Sequence, residues 1–195
     1  DNDGTEHYEV GMGDYRYDLK TDTGNKTAEI VSCSLKNNPV SEIPELIVPG
    51  EVGDYSVTSL KDNALDPIKD KVVKVDFGDT LKSVGANIFS GDTKLVEATF
   101  GPAIESVGAG AFEDCTNLRH VYWEKPSDLS AMATIPGDAF YTKGDKLYFH
   151  GEIDNSYAPF AYAMGNNKIN SSSVRICYVE TAPKNLYVVR SEEHT

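Results

Sequence analysis

The phrase SVGANIF at residues 83–89 returns as SVGAGAF at 106–112, 23 positions on, with Asn87 replaced by Gly110 and Ile88 by Ala111. A fixed period in the twenties leaves a chain few choices of fold. Each unit is too short to bury its apolar side alone, so successive units must stack and bury it against one another. The match also extends well beyond the phrase. Val72, Val75, Phe77, Leu81, Val84, Gly85 and Phe89 correspond to Leu95, Ala98, Phe100, Ile104, Val107, Gly108 and Phe112. A third copy opens with Leu118, Val121 and Trp123 and closes with Ile135 and Phe140, after the insertion KPSDLSAMAT at 125–134. An earlier copy holds Ile43, Leu46, Val48, Val57, Leu60 and Leu65, with PGEVGDYS inserted at 49–56, and a degenerate copy opens at Leu147.

The first half of each unit, as in VVKVDF, LVEATF and LRHVYW, alternates apolar and polar residues around its second and third apolar slots. That pattern fits a short strand with one face in a core. Such strands stack in parallel as a ladder. The second half, as in IESVGAGAF, reads as a turn followed by a short extended or 3₁₀ segment, with Gly allowing the bend and the closing Phe filling the core between coils. Asn and Asp at the junctions SGDTK and EDCTN supply turn chemistry. The expected fold is a mostly-β repeat solenoid with short turns and 3₁₀ segments.

These phrases, together with VTSLKDNAL and FEDCTNLRHVYW, resemble the BspA-type leucine-rich repeats of bacterial surface proteins, whose unit runs approximately I-G-x-x-A-F-x-x-C-x-x-L-x-x-I-x-L-P. Lys61 stands where that unit has Gly, Ile88 where it has Ala, and Asp92 where it has Cys, while Cys115 occupies the corner Cys slot. The resemblance is firm over 43–165. It implies a right-handed leucine-rich-repeat coil with a β-strand cap at the N terminus and a helix-plus-strand cap at the C terminus. It also implies an extracellular or cell-surface protein that adheres to host proteins or to other cells.

Three regions follow. Residues 1–42 are a polar segment and β cap, 43–150 the repeats, and 151–195 the C-terminal cap. Residues 1–14 begin DNDGTE, polar and Gly-containing, and are expected to fray, and DNDG lacks the later ligands of a calcium loop. YRYDLK and TAEIVSCSL form two antiparallel strands around TDTGN. SYAPFAYAM carries Ala and aromatic residues on one helical stripe, and VRICYVE and NLYVVR read as a strand pair. That pair, within 174–190, either finishes the cap or begins a further module. The chain starts without Met or a basic–apolar leader, so it is expected to be trimmed, with any export signal and anchor outside it.

Of 195 residues, 31 are Asp or Glu against 18 Lys or Arg, a net charge of −13 that repels nucleic acid and anionic membranes. No apolar run approaches the roughly 18 residues of a membrane span. Cys33, Cys115 and Cys177 show no CxxC or metal spacing and read as small buried hydrophobes, the redox compartment left open. His7, His120, His150 and His194 form no catalytic motif, and the carboxylates are scattered. No enzyme activity, cofactor or metal is expected.

Binding is what a ladder offers. Its outward positions are, by register, Glu45 and Ile47, Lys74 and Asp76, Glu97 and Thr99, and His120 and Tyr122, with Arg119 at the edge. Arg119, His120 and Tyr122 beside Trp123 make the strongest local candidate, since Tyr and Arg carry much interface energy. The expected function is a non-enzymatic surface module binding an extracellular protein or glycan, host matrix or mucosal. The alternative is a spacer or accessory domain of a larger surface protein.

Overall fold

The computed structural model describes residues 5–37, 40–124, 139–140, 147–152, 176–182 and 186–190. The strands, in chain order, are β1 (Thr5–Met12), β2 (Tyr15–Asp22), β3 (Thr27–Leu35), β4 (Leu46–Ile47), β5 (Glu51–Val52), β6 (Tyr55–Leu60) and β7 (Lys74–Asp76). Then come β8 (Ser83–Val84), β9 (Glu97–Phe100), β10 (Ser106–Val107), β11 (His120–Trp123), β12 (Leu147–Glu152), β13 (Ile176–Ala182) and β14 (Leu186–Arg190). One 3₁₀ turn, Lys69–Lys71, is found among the described residues. The architecture is mostly β, with almost no helix.

The alternating half-units supply one sheet, in which β4, β7, β9, β11 and β12 run parallel in that order. Its register places Leu46, Val75, Ala98 and Val121 in one row, and all four are buried. The row therefore lies in the core for the reason the alternation predicts. The Gly-bearing half-units supply a second parallel run, β6, β8 and β10, in which Leu60, Val84 and Val107 align and are buried. These strands are too short for alternation to announce them, yet they make the opposite wall of the core. A third line of coil-to-coil hydrogen bonds joins the turns. Asn63 N–H donates to the Ala86 carbonyl (3.0 Å), Asn87 N–H to Ala109 (3.1 Å) and Phe89 N–H to Ala111 (2.7 Å).

Aromatic rings fill the space between the walls. Phe77 stacks on Phe100 at 4.8 Å and Phe100 on Trp123 at 4.4 Å, while Phe89 stacks on Phe112 at 5.8 Å and Phe112 on Phe140 at 5.0 Å. The two columns meet edge to face, as between Phe100 and Phe112 (5.7 Å). Both geometries suit the ring quadrupole and contribute about 0.5–1.5 kcal/mol per pair beyond area burial.

At the N-terminal end, β1, β2 and β3 form an antiparallel meander whose last strand pairs in parallel with β6. Residues 5–12 are thus a strand, not part of the frayed segment expected from the polar opening DNDGTE. The cause is a tight turn at Gly13 (φ +59) and Asp14 that folds Met12 back onto Tyr15. The Cys33 N–H donates to Ala64 O at 2.9 Å, tying the meander to the first repeat. Burial pushes the Cys33 thiol up to about 12, which makes it inert at neutral pH. The insertion at 49–56 contributes β5, which hairpins back onto β6. β13 and β14 pair with β12 and continue the first-described sheet. The expected helix near 156–164, the calcium-like DNDG, the insertion at 125–134 and the Cys177 side chain lie outside the described residues.

Candidate functional site

Every second residue of the parallel strands turns away from the core, and the register sets those residues in two columns. Lys74, Glu97 and His120 make one, and Ile47, Asp76, Thr99 and Tyr122 the other. At about 4.8 Å per strand the second column spans roughly 14 Å. Glu45 and Lys74 are exposed, and Asp76, Glu97, Thr99, Arg119, His120 and Tyr122 are half-buried. Ile47 is 59% exposed, an apolar tip to an otherwise polar surface. The register thus sets Lys74, Asp76, Glu97, Thr99, His120 and Tyr122 on one face with Ile47, whereas Glu45 and Arg119 lie just before β4 and β11, outside the paired positions.

Their surroundings differ. Lys74 Nζ lies 3.7 Å from Glu97 Oε2, a bridge between neighbouring coils. The Lys74 side chain is half exposed and Glu97 partly so, and the pair contributes at most about 1 kcal/mol. We expect Lys74→Met to shift the melting temperature by only a few degrees at most, with the difference fading in high salt. The Asp76 carboxylate accepts from the Gly78 N–H at 2.9 Å and shapes the turn after β7. His120 and Tyr122 lie on the same side of β11 with ring centroids 6.3 Å apart and planes inclined by 27°. Burial, reinforced by the Glu97 carboxylate, pushes the Tyr122 phenol up, so it remains a neutral donor and acceptor throughout physiological pH.

Arg119 immediately precedes β11, at the edge of the face. Its guanidinium turns back on the chain, with Nη1 donating to the carbonyls of Thr116 (2.8 Å) and Leu118 (3.2 Å). It braces the corner that precedes β11. Sequence gives no sign of this, because the acceptors are backbone atoms of its own turn.

The corner column behind the face comprises Lys69, Asp92 and Cys115, at steps of 23 residues. The Cys115 thiol donates to Phe89 O at 3.1 Å, and burial pushes its pKa far up. Asp92 fills the same slot one coil earlier and is 2% exposed. Its Oδ1 accepts from the Lys94 N–H at 2.7 Å, while Oδ2 has no hydrogen-bond partner among the described residues. Burial pushes this carboxyl up to about 6. The arrangement is a corner cap with an acid in a thiol's place. Among the described residues, no group of three or more His, Cys, Asp or Glu is set to hold a metal ion. No helix among them is long and apolar enough to cross a membrane.

Comparison with known proteins places these features. The family model described as BspA type leucine rich repeat region matches residues 52–153, in six copies. Among solved structures, a leucine-rich repeat protein of T. pallidum is 15% identical over 59% of this chain, with a TM-score of 0.41. A leucine-rich cell surface protein of Faecalibacterium prausnitzii A2-165 is 16% identical over 76% of this chain, with a TM-score of 0.42. The chain spans 60% and 57% of the lengths of those two proteins. No curated protein matches.

Proposed function

Because the chain belongs to the BspA-type leucine-rich repeat family, we propose that it is a non-enzymatic module of the cell exterior that binds an extracellular protein or glycan along its parallel ladder. In this reading the coils wind as a right-handed solenoid, and the outward columns form one continuous docking strip. The observation that carries it is the alignment of Asp76, Thr99 and Tyr122, and of Lys74, Glu97 and His120, one residue per coil on a single surface. Repetition of that kind gives a partner several contacts at regular spacing without any deep pocket.

The stacked His120 and Tyr122 supply the energetic centre, for an aromatic pair offers large contact area with few rotors to freeze. Adhesion to host matrix or mucosal components follows from the surface setting suggested by the family. The test is binding of the intact chain to immobilised matrix proteins and mucin. Replacing His120 and Tyr122 together with Ala should weaken the strongest interaction at least about ten-fold, roughly 1.4 kcal/mol, with the melting temperature held within a few degrees. Undiminished binding by that variant would remove the strip from consideration.

A spacer role for the repeats draws on one observation. The cross-coil pairs Lys74–Glu97 and Lys82–Glu105 turn part of the surface charge toward itself. Absence of any matrix or glycan ligand for the intact chain would favour this second reading.

A further inference from the structure

The β6–β8–β10 wall is closed at its N-terminal end by the β1–β2–β3 meander, but the opposite wall is not. Its strand order ends at β4, which among the described residues has a partner, β7, on one side only. Ile43 N–H donates to Lys71 O (2.7 Å), Val73 N–H donates to Ile43 O (2.9 Å) and Val48 N–H donates to Asp76 O (2.8 Å). These bonds all run toward the second coil. Backbone groups of a parallel strand alternate sides, so the intervening ones face outward, and an edge of that kind is a template for another strand.

Two further observations converge on the same place. The exposed large hydrophobics among the described residues are Met12, Val40 and Ile47. Met12 precedes the Gly13–Asp14 turn, Val40 lies on the connector into the first coil, and Ile47 lies on β4 itself. Between that turn and the connector opens a cleft of about 530 Å³. Its lining includes the carboxylates of Asp14, Glu42 and Glu45 against the single ammonium of Lys36.

We propose that the β4 edge and this cleft bind an extended peptide segment of a partner protein, in which basic residues alternate with apolar ones, as an added strand. The backbone of the segment would pair with β4, its apolar side chains would cover Val40 and Ile47, and its cations would meet the carboxylates of the cleft. Strand addition divides the work in this way, with main-chain bonds giving affinity and alternate side chains giving specificity. A second copy of this chain fits poorly, because the edge is acidic and the whole chain carries −13. The site shares Ile47 with the end of the ladder strip but is separate from His120 and Tyr122, so its failure and that of the strip can be told apart.

The experiment is fluorescence anisotropy on the full chain, with a labelled, end-capped peptide of about eight residues alternating Lys and Val. Saturable binding is expected. It should fall about ten-fold or more with the double variant Glu42→Lys/Glu45→Lys, and equally when alternate peptide amides are N-methylated, since that leaves charge intact but removes donors. His120→Ala/Tyr122→Ala should leave it unchanged, and circular dichroism should report folded variants throughout. No saturable binding, equal binding by the N-methylated peptide, or equal binding by the charge-reversed variant would overturn the proposal. So would a dimer of the chain alone, in sedimentation, that Ile47→Lys dissolves, because the edge would then serve self-pairing.

Discussion

Gly108→Ala is expected to destabilise the chain by at least ~3 kcal/mol, lowering the melting temperature by roughly 10 °C, while Gly110→Asn two residues away changes it by less than about 1 kcal/mol. The contrast separates two reasons for a glycine. At Gly108 the backbone conformation is ordinary and the constraint is space. A Cβ there would lie 2.3 Å from Ala86 N, 2.5 Å from Gly85 C and 2.7 Å from Ala86 Cα, all rigid backbone of the preceding coil. Relief requires the coils to part, which stretches the bond from Gly108 N–H to Val84 O (2.7 Å) and strains the β8–β10 pairing.

At Gly110 the constraint is conformation, with φ at +63. The equivalent slots hold Asn87 at φ +58 and Asn63 at φ +60, and Asn tolerates this region better than other side-chain-bearing residues. The atoms a Cβ would meet there are the tips of the Asn87 and Glu113 side chains, which can swing away. Thermal melts of the two variants decide the matter, and equal losses would refute this division of roles. The same logic accounts for Lys61, which stands at the slot of Gly85 and Gly108. Its N–H donates to Ile30 O of the cap, and its exposed side chain has no earlier coil of the repeat to collide with.

Asp92→Asn should stabilise the chain on the order of 2–3 kcal/mol at pH 7.5 and by almost nothing near pH 3. Burial raises the folded carboxyl to about 6 from the ordinary 3.8. Between those values the folded chain keeps a proton that the unfolded chain has released. Stability is therefore full below about pH 4, declines as pH rises through about 6, and stays reduced above it. Asn keeps the Oδ1 acceptor for the Lys94 N–H and replaces the orphaned anionic oxygen with a neutral group. Asp92→Cys, which copies Cys115 one coil on, should behave similarly. Melting curves across pH check both variants. A wild-type stability flat between pH 4 and 7, or a variant gain independent of pH, would contradict the assignment.

The buried rows were legible because each apolar slot recurs at a constant step, so Val75, Ala98 and Val121 align in the sequence as they do in the sheet. The outward columns followed from the same alternation. β1 was missed although Tyr8, Val10 and Met12 alternate with Glu9 and Gly11, because the polar opening DNDGTE reads as a loose end and only the two-residue turn at Gly13–Asp14 makes the stretch a hairpin arm. β8 and β10 are two residues each, too short to show a period, and are defined by pairing alone. Arg119 faces the Thr116 and Leu118 carbonyls for reasons of local turn geometry that composition does not carry. The cleft beside β4 draws its lining from segments on either side of the cap connection, so no single stretch of sequence announces it.

The two ring stacks and the rows around them carry a consequence for how such a chain changes length. Removing residues 84–106 would join Ser83 directly to Val107, and the text would still read SVGAGAF. Each buried row and each ring stack would lose one member and keep its order. The neighbours that remain would meet the same kinds of surface they met before. Size in this molecule is therefore a whole-number property, and the loss of one unit leaves no seam in the wall.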